Sequence, residues 1–179
     1  FKESLLEKVL YKDIPEVFSV SEPRLLFKIM QLLAGSPGMI VKYNQLGSDL
    51  GIDQRTVKSY FDFLKASFLV HCQYQFSKNL LTSEKKIKKY YLSYPCFANF
   101  LSEEPHKDTN INYLIENLFV TARDSRFFYR SSTMQEVDIV EIKGGVIIPI
   151  EIKYKNNIDK KDIKGISSFI KRYSPKKGI

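Results

Sequence analysis

Gly144-Gly145 stands between two β-rich runs, Val137–Ile142 and Val146–Tyr154. Two adjacent glycines in that setting predict a two-residue hairpin turn, whose central positions need backbone angles that few other residues adopt freely. A hairpin closed there pairs Lys143 with Val146. Carried along the strands, the same register sets Asp138 opposite Glu151 and Glu136 opposite Lys153. Side chains alternate faces along a strand, so Glu151 and Lys153 share a face, and Asp138 joins them. Opposed residues have Cβ atoms about 4.5–5.5 Å apart, and two bare carboxylates at that separation repel. A hard divalent cation relieves the repulsion, and Mg²⁺ favours such oxygen ligands. A second reading fits the same register: Glu136 and Lys153 form one pair of a salt-bridged strand surface. The run Val146-Ile147-Ile148-Pro149-Ile150 is nearly continuously apolar, as expected of a strand buried on both faces. Glu151 and Lys153 at its end therefore need a partner or a chemical task.

Upstream, Glu116 sits among Leu114, Ile115, Leu118 and Phe119, which follow helical spacing. Glu116 is either a helix-surface acid or a third acid of the site. Arg126–Arg130 predicts a strand, so the order is helix, strand, hairpin, helix. Glu116, Asp138 and Glu151-x-Lys153 in that order resemble the signature of the PD-(D/E)xK nuclease superfamily. The resemblance implies a restriction-endonuclease-like α/β core with Glu116, Asp138, Glu151 and Lys153 as the catalytic set. It implies Mg²⁺ or Mn²⁺ held by Asp138, Glu151 and the carbonyl of Ile152. Lys153 would then act on the scissile phosphate or the attacking water, and Glu116 would assist. The chain departs from the pattern at Val137, where the eponymous proline would stand.

The net charge of +8 favours an anionic partner without fixing a fold. Cys72 and Cys96 have no metal-type spacing, and their apolar neighbours predict reduced core residues. No apolar run has the length of a membrane span and no signal peptide is present, which makes a cytoplasmic protein with no membrane partner the expectation. A first residue of Phe1 in place of Met suggests a piece of a longer protein. The polar stretch Ser102–Asn110, which contains Pro105, predicts a linker. The expected domains are residues 1–105 and 106–179. Their net charges are +3 and +5, so neither half alone owns the positive charge.

In the first domain, Arg24–Ala34 predicts a strong apolar helix that stops at Gly35. A second helix is expected over about Tyr43–Leu50, closed by Gly51 as C-cap. Asp53 can N-cap a third, Gln54–Ala66. On it Val57, Tyr60, Phe61 and Leu64 form the buried stripe and leave Gln54, Arg55, Lys58, Ser59, Asp62 and Lys65 outside. Phe68–Phe76 and Lys89–Ser93 are β-like. The loop between them is rich in lysine: Lys78, Lys85, Lys86 and Lys88, with Lys89 at its end. Three helices and a basic β-ribbon predict a winged helix, and the overall expectation is α+β. Such a domain brings its third helix to the major groove of DNA or docks onto protein. The candidate nucleic-acid contacts are Arg55, Lys58, Lys78, Lys85, Lys86, Lys88 and Lys89, although Asp62 dilutes the exposed face of the helix.

The motifs taken together, from Leu10–Pro15 through Leu50-Gly51-Ile52, Thr56-Val57, Tyr60, Glu116–Phe119, Glu136-Val137-Asp138 and Glu151-Ile152-Lys153, resemble the C-terminal portion of a group of prokaryotic AAA-type ATPases. That resemblance implies an ATP-binding N-terminal ATPase domain of the same polypeptide as a partner, alongside nucleic acid, with DNA preferred. No Gly-x-x-x-x-Gly-Lys-Ser/Thr occurs in these residues, so no nucleotide site is assigned here. Relatives often carry an aspartate after the last wing strand, where this chain has Ser93-Tyr94-Pro95. Two function classes stay open: a metal-dependent nuclease module, and a non-catalytic DNA-binding or docking module that keeps the nuclease-like fold.

Overall fold

A computed structural model describes residues 2–101 and 111–175. The expected linker, Ser102–Asn110, lies outside the described residues. In chain order come helices α1 (Lys2–Lys8), α2 (Ile14–Phe18) and α3 (Pro23–Gly35), strand β1 (Met39–Ile40), and helices α4 (Tyr43–Leu50) and α5 (Gln54–Ala66). Strand β2 (Val70–Gln75), helix α6 (Leu80–Lys85), strand β3 (Lys88–Leu92) and helix α7 (Ala98–Leu101) follow. Then come helix α8 (Ile111–Ala122), strands β4 (Phe127–Arg130), β5 (Glu136–Val137), β6 (Ile139–Lys143) and β7 (Val146–Ile150), and helix α9 (Lys164–Tyr173). The fold is mixed α and β. No described helix is long and apolar enough to cross a membrane.

The chain divides into two compact units, one of residues 1–71 with 90–109 and the other of 72–89 with 110–179. This grouping differs from a single cut near residue 105 in one segment: residues 72–89 group with the C-terminal part. The division falls inside β2 and β3.

The first unit is built on apolar helix faces. Helix α5 buries Val57, Tyr60, Phe61 and Leu64, the stripe its spacing predicts. Each such side chain contributes about 1.5–3 kcal/mol by leaving water. Helix α3 buries Leu26, Ile29, Met30 and Leu33. The Asp53 carboxylate accepts from the backbone N–H of Arg55 at 2.7 Å and so caps α5. Helix α4 ends at Gly51 as its sequence predicts. Phe68 does not begin a strand; it turns the chain after α5 with φ 57° and stays exposed. Cys72 is buried, but Cys96 is exposed, contrary to expectation. Its apolar neighbours belong to a one-turn helix, Pro95–Phe97, that presents Cys96 outward.

The second unit has its own core of Phe76, Phe127, Tyr129, Val137, Val140 and Phe169. Phe76 explains why residues 72–89 belong here: its ring meets those of Phe127, Phe169 and Tyr173 at centroid distances of 5.1–5.8 Å. The backbone agrees, because Tyr74 and Gln75 of β2 run parallel to Phe127 and Phe128 of β4. Strand β5 pairs antiparallel with β4, Arg130 with Glu136. Strands β6 and β7 form the expected hairpin in the expected register, from Lys143 with Val146 to Ile139 with Ile150. Both turn glycines have positive φ, 56° and 75°, as that turn requires. Strand β7 is less buried than its apolar run suggests: only Pro149 and Ile150 are inside, and the first three residues are half-buried. Helix α9 passes so close to β5 that a Cβ on Gly165 would collide with the Glu136 carbonyl oxygen.

The lysine-rich stretch between β2 and β3 is not a plain loop. Asn79 caps α6 by accepting from the Thr82 N–H at 3.2 Å, and Lys85 ends that helix. On α8 the apolar residues do not all turn inward: Leu118 and Phe119 are exposed, and Asn117 and Val120 are the buried pair. The face that turns inward carries polar groups.

Candidate metal centre

Within the second unit, six charged side chains from five places in the chain converge. Glu116 comes from α8, Glu136 from β5, Asp138 from the bend between β5 and β6, and Glu151 and Lys153 from just beyond β7. Lys89 comes from β3. The hairpin register explains the meeting of Asp138 with the residues after β7. Just past the last ladder pair, Ile139 with Ile150, the backbone N–H of Ile152 donates to the Asp138 Oδ2 at 2.7 Å. The Asp138 backbone is also anchored. Gln73, fully buried, donates from Nε2 to the Asp138 carbonyl at 3.2 Å and to Ser125 Oγ at 2.9 Å. Nothing in the sequence patterns marks Gln73, because its partners lie far along the chain.

Glu116, Glu136 and Asp138 each offer a carboxylate oxygen, and these oxygens lie within 4.8 Å of one another. Asp138 is 7 % exposed. Burial, and then the charges of Glu116 and Glu151, raise its carboxyl from 3.8 to about 7, while Lys89 and the Ile152 N–H oppose the rise. Glu151 is also raised, first by burial and then by Glu136 and Glu116, against the pull of Lys153. Lys153 donates to Glu151 Oε1 at 2.6 Å and to the Ile152 carbonyl at 3.2 Å. Burial works against its charge, yet Glu151, Asp138 and Glu116 together hold its ammonium above the ordinary lysine value. Lys89 donates to Glu116 Oε1 at 2.9 Å and forms a close ion pair with Glu136, which Arg130 approaches at 3.7 Å.

Among the described residues, four carboxylates thus share the neighbourhood of Lys89, Lys153 and Arg130. The excess of negative charge is met either by a proton, as the raised Asp138 indicates, or by a cation. The donor set is all oxygen, which suits a hard divalent ion such as Mg²⁺ or Mn²⁺. The other oxygen of Glu151, Oε2, is buried without a hydrogen-bond partner, and buried carboxylate oxygens rarely stay unsatisfied. The residues present fit such an ion.

The structure brings together Glu116, Asp138, Glu151 and Lys153, the four residues of the expected catalytic set. Two assignments change around them, and a third residue gains a partner. Glu136, expected opposite Lys153, pairs with Lys89 and Arg130 because β5 runs beside β4. Glu136 thereby joins Glu116 and Asp138 as a ligand candidate. The Ile152 carbonyl, expected as a ligand, also accepts from Lys153 through one of its two lone pairs. Lys89, expected on an exposed wing, is only 5 % exposed and occupies the acid cluster. The other nucleic-acid candidates stay at or near the surface. Arg55, Lys58, Lys78 and Lys85 are exposed, and Lys86 and Lys88 are half-buried. Lys58 is engaged with Asp62 at 3.1 Å, and Lys88 with the Glu84 carbonyl at 2.7 Å and over the Tyr74 ring. The sequence does hold a signal for Glu136, since it shares the Glu-x-Asp triplet with Asp138.

A family model described as a domain of unknown function, DUF4143, matches residues 111–179, and this domain is found in AAA-ATPase-associated proteins. No curated protein and no solved structure matches the chain. A model described as a domain of unknown function, DUF8612, matches residues 1–108, and the chain belongs to that family.

Proposed function

We propose that this member of the DUF8612 family is the C-terminal module of a cytoplasmic AAA-type ATPase, and that its second unit hydrolyses nucleic-acid phosphodiester bonds with Mg²⁺ or Mn²⁺. One observation carries the reading: Glu116, Asp138, Glu151 and Lys153, distant in sequence, meet in one partly buried cluster. A bound divalent ion supplies Lewis-acid polarisation of the phosphate and a water that loses its proton more readily. Glu116, Glu136 and Asp138 would hold the ion through carboxylate oxygens, while Glu151, expected as a ligand, is read here as the base. The raised Glu151 carboxylate, with one oxygen unpartnered, is suited to accept a proton from the attacking water. Lys153, whose side chain is 31 % exposed, reaches solvent and neutralises charge growing on the phosphate oxygens.

The first unit is read as a winged helix. Its element order α3, β1, α4, α5 supports that reading, with Arg55 and Lys58 on the outer face of α5 as contacts to DNA. The test is incubation of plasmid and single-stranded substrates with the chain and Mn²⁺. Nicking or degradation is expected, and Asp138→Ala and Glu151→Ala are expected to abolish it while the variants stay folded. Robust cleavage by the Asp138 variant, or no Mn²⁺ binding by the intact chain, refutes the nuclease reading. The non-catalytic module has one observation in its favour: Lys89 already neutralises two of the acids from within. Metal binding without cleavage of any substrate would select that reading.

A further inference from the structure

Lys89 lies in β3, in a basic stretch whose sequence predicts a solvated face, and yet its side chain is 7 % exposed. Its ammonium donates to Glu116 at 2.9 Å, pairs with Glu136, and lies 5.6 Å from the centroid of the Phe128 ring. Glu116 and Glu136 are two of the three acids whose oxygens cluster as a cation site. An ammonium and a divalent ion drawn to the same two carboxylates repel each other, with little water between to screen them. Without the ammonium, the metal-free cluster would hold four neighbouring carboxylates with less positive charge beside them, Lys153 and Arg130 being the other cations named at the cluster. We propose that Lys89 is a built-in counter-ion that keeps the acid cluster assembled in the absence of metal and competes with the divalent ion for Glu116 and Glu136. This inference rests on the reading of the cluster as a cation site.

The exchange needs no backbone movement. Lysine is a point charge on a flexible four-carbon stem, and rotation about that stem is enough to release one carboxylate. A rigid arginine fork would not yield as readily. The consequence is a site assembled before metal arrives but holding metal weakly, because every binding event displaces an internal cation.

The experiment compares Mn²⁺ binding by the full chain and by Lys89→Met, which keeps the apolar stem and removes the charge, using calorimetry and the electron spin resonance of free Mn²⁺. The variant is expected to bind Mn²⁺ about tenfold more tightly, or better. Its melting temperature in chelator should fall below that of the parent and recover when Mn²⁺ is added. Unchanged or weaker binding by the variant, with the parent still binding, overturns the competition and leaves the cation site standing. Absence of binding by both proteins overturns the inference and the cation site together. If Lys89→Met does not fold in chelator, the parent chain decides the matter through its ¹⁵N-labelled lysine ammonium signals. Mg²⁺ at saturation should shift or erase the Lys89 resonance, and an unmoved resonance overturns the proposal.

Discussion

Asp138→Asn offers the most direct reading of the charge balance in the cluster. In the native chain the Asp138 carboxyl is raised by burial, and then by Glu116 and Glu151, from 3.8 to about 7. Between those two values the folded chain holds a proton that the unfolded chain has already released. Stability from this group is therefore complete below about pH 4 and is lost as pH climbs through about 7. The gap of roughly three pH units corresponds to about 4 kcal/mol. In a chain of this size that is on the order of 10 °C in melting temperature. Asparagine resembles the protonated carboxyl: it carries no charge and still presents an oxygen to the Ile152 N–H. In chelator, the native chain should melt progressively lower from pH 5 to pH 8, while Asp138→Asn should stay nearly flat. The variant should match the native chain near pH 4, already exceed it slightly at pH 5, and exceed it by about 10 °C at pH 8. Mn²⁺ should raise the melting temperature of the native chain at pH 8 and leave the variant unmoved. Thermal unfolding followed by circular dichroism across this pH range is sufficient. A flat native profile in chelator, or a variant less stable than the native chain at pH 8, would show that Asp138 is not held as a strained buried acid.

Lys153→Ala should leave Mn²⁺ affinity within a few-fold and slow cleavage by about 10²–10³; equal loss of metal binding and cleavage in a titration would instead make Lys153 a support of the metal ligands. Gly165→Ala should destabilise the second unit by about 3 kcal/mol, because its Cβ would collide with the Glu136 carbonyl; urea denaturation that finds no loss would contradict that close approach. If the first unit and the α6 region touch phosphates, DNA affinity should fall steeply with salt. Joint replacement of Lys85, Lys86 and Lys88 by alanine should then flatten the slope of log K against log salt by about 0.7–0.9 for each phosphate that is no longer neutralised. An unchanged slope would place the phosphate-binding surface at Lys155, Lys160, Lys161 and Lys164.

Features governed by neighbours along the chain are legible in the sequence itself. The hairpin register follows from two glycines and the alternation on either side, and it runs as expected from Lys143 with Val146 to Ile139 with Ile150. Helix α5 carries its own cap in Asp53 and its own buried stripe, so its bounds and inner face are readable as well. The four candidate catalytic residues are visible because three of them lie on or just beyond that hairpin and the fourth on a strongly patterned helix. Pattern does not settle which face of α8 turns inward. Leu118 and Phe119 satisfy helical spacing and are exposed all the same, because the inner face serves the charged cluster. Nor does pattern place Lys89 or Glu136. A lysine in a basic stretch is read as solvated, and only the parallel pairing of β2 with β4 and the burial of Phe76 bring residues 72–89 into the second unit. The identity of a charged group's partner depends on packing between distant segments, where the energy of one residue depends on how all the others pack. Local patterns therefore determined the elements and the hairpin, whereas the neutralisation of the acid cluster was decided by long-range packing.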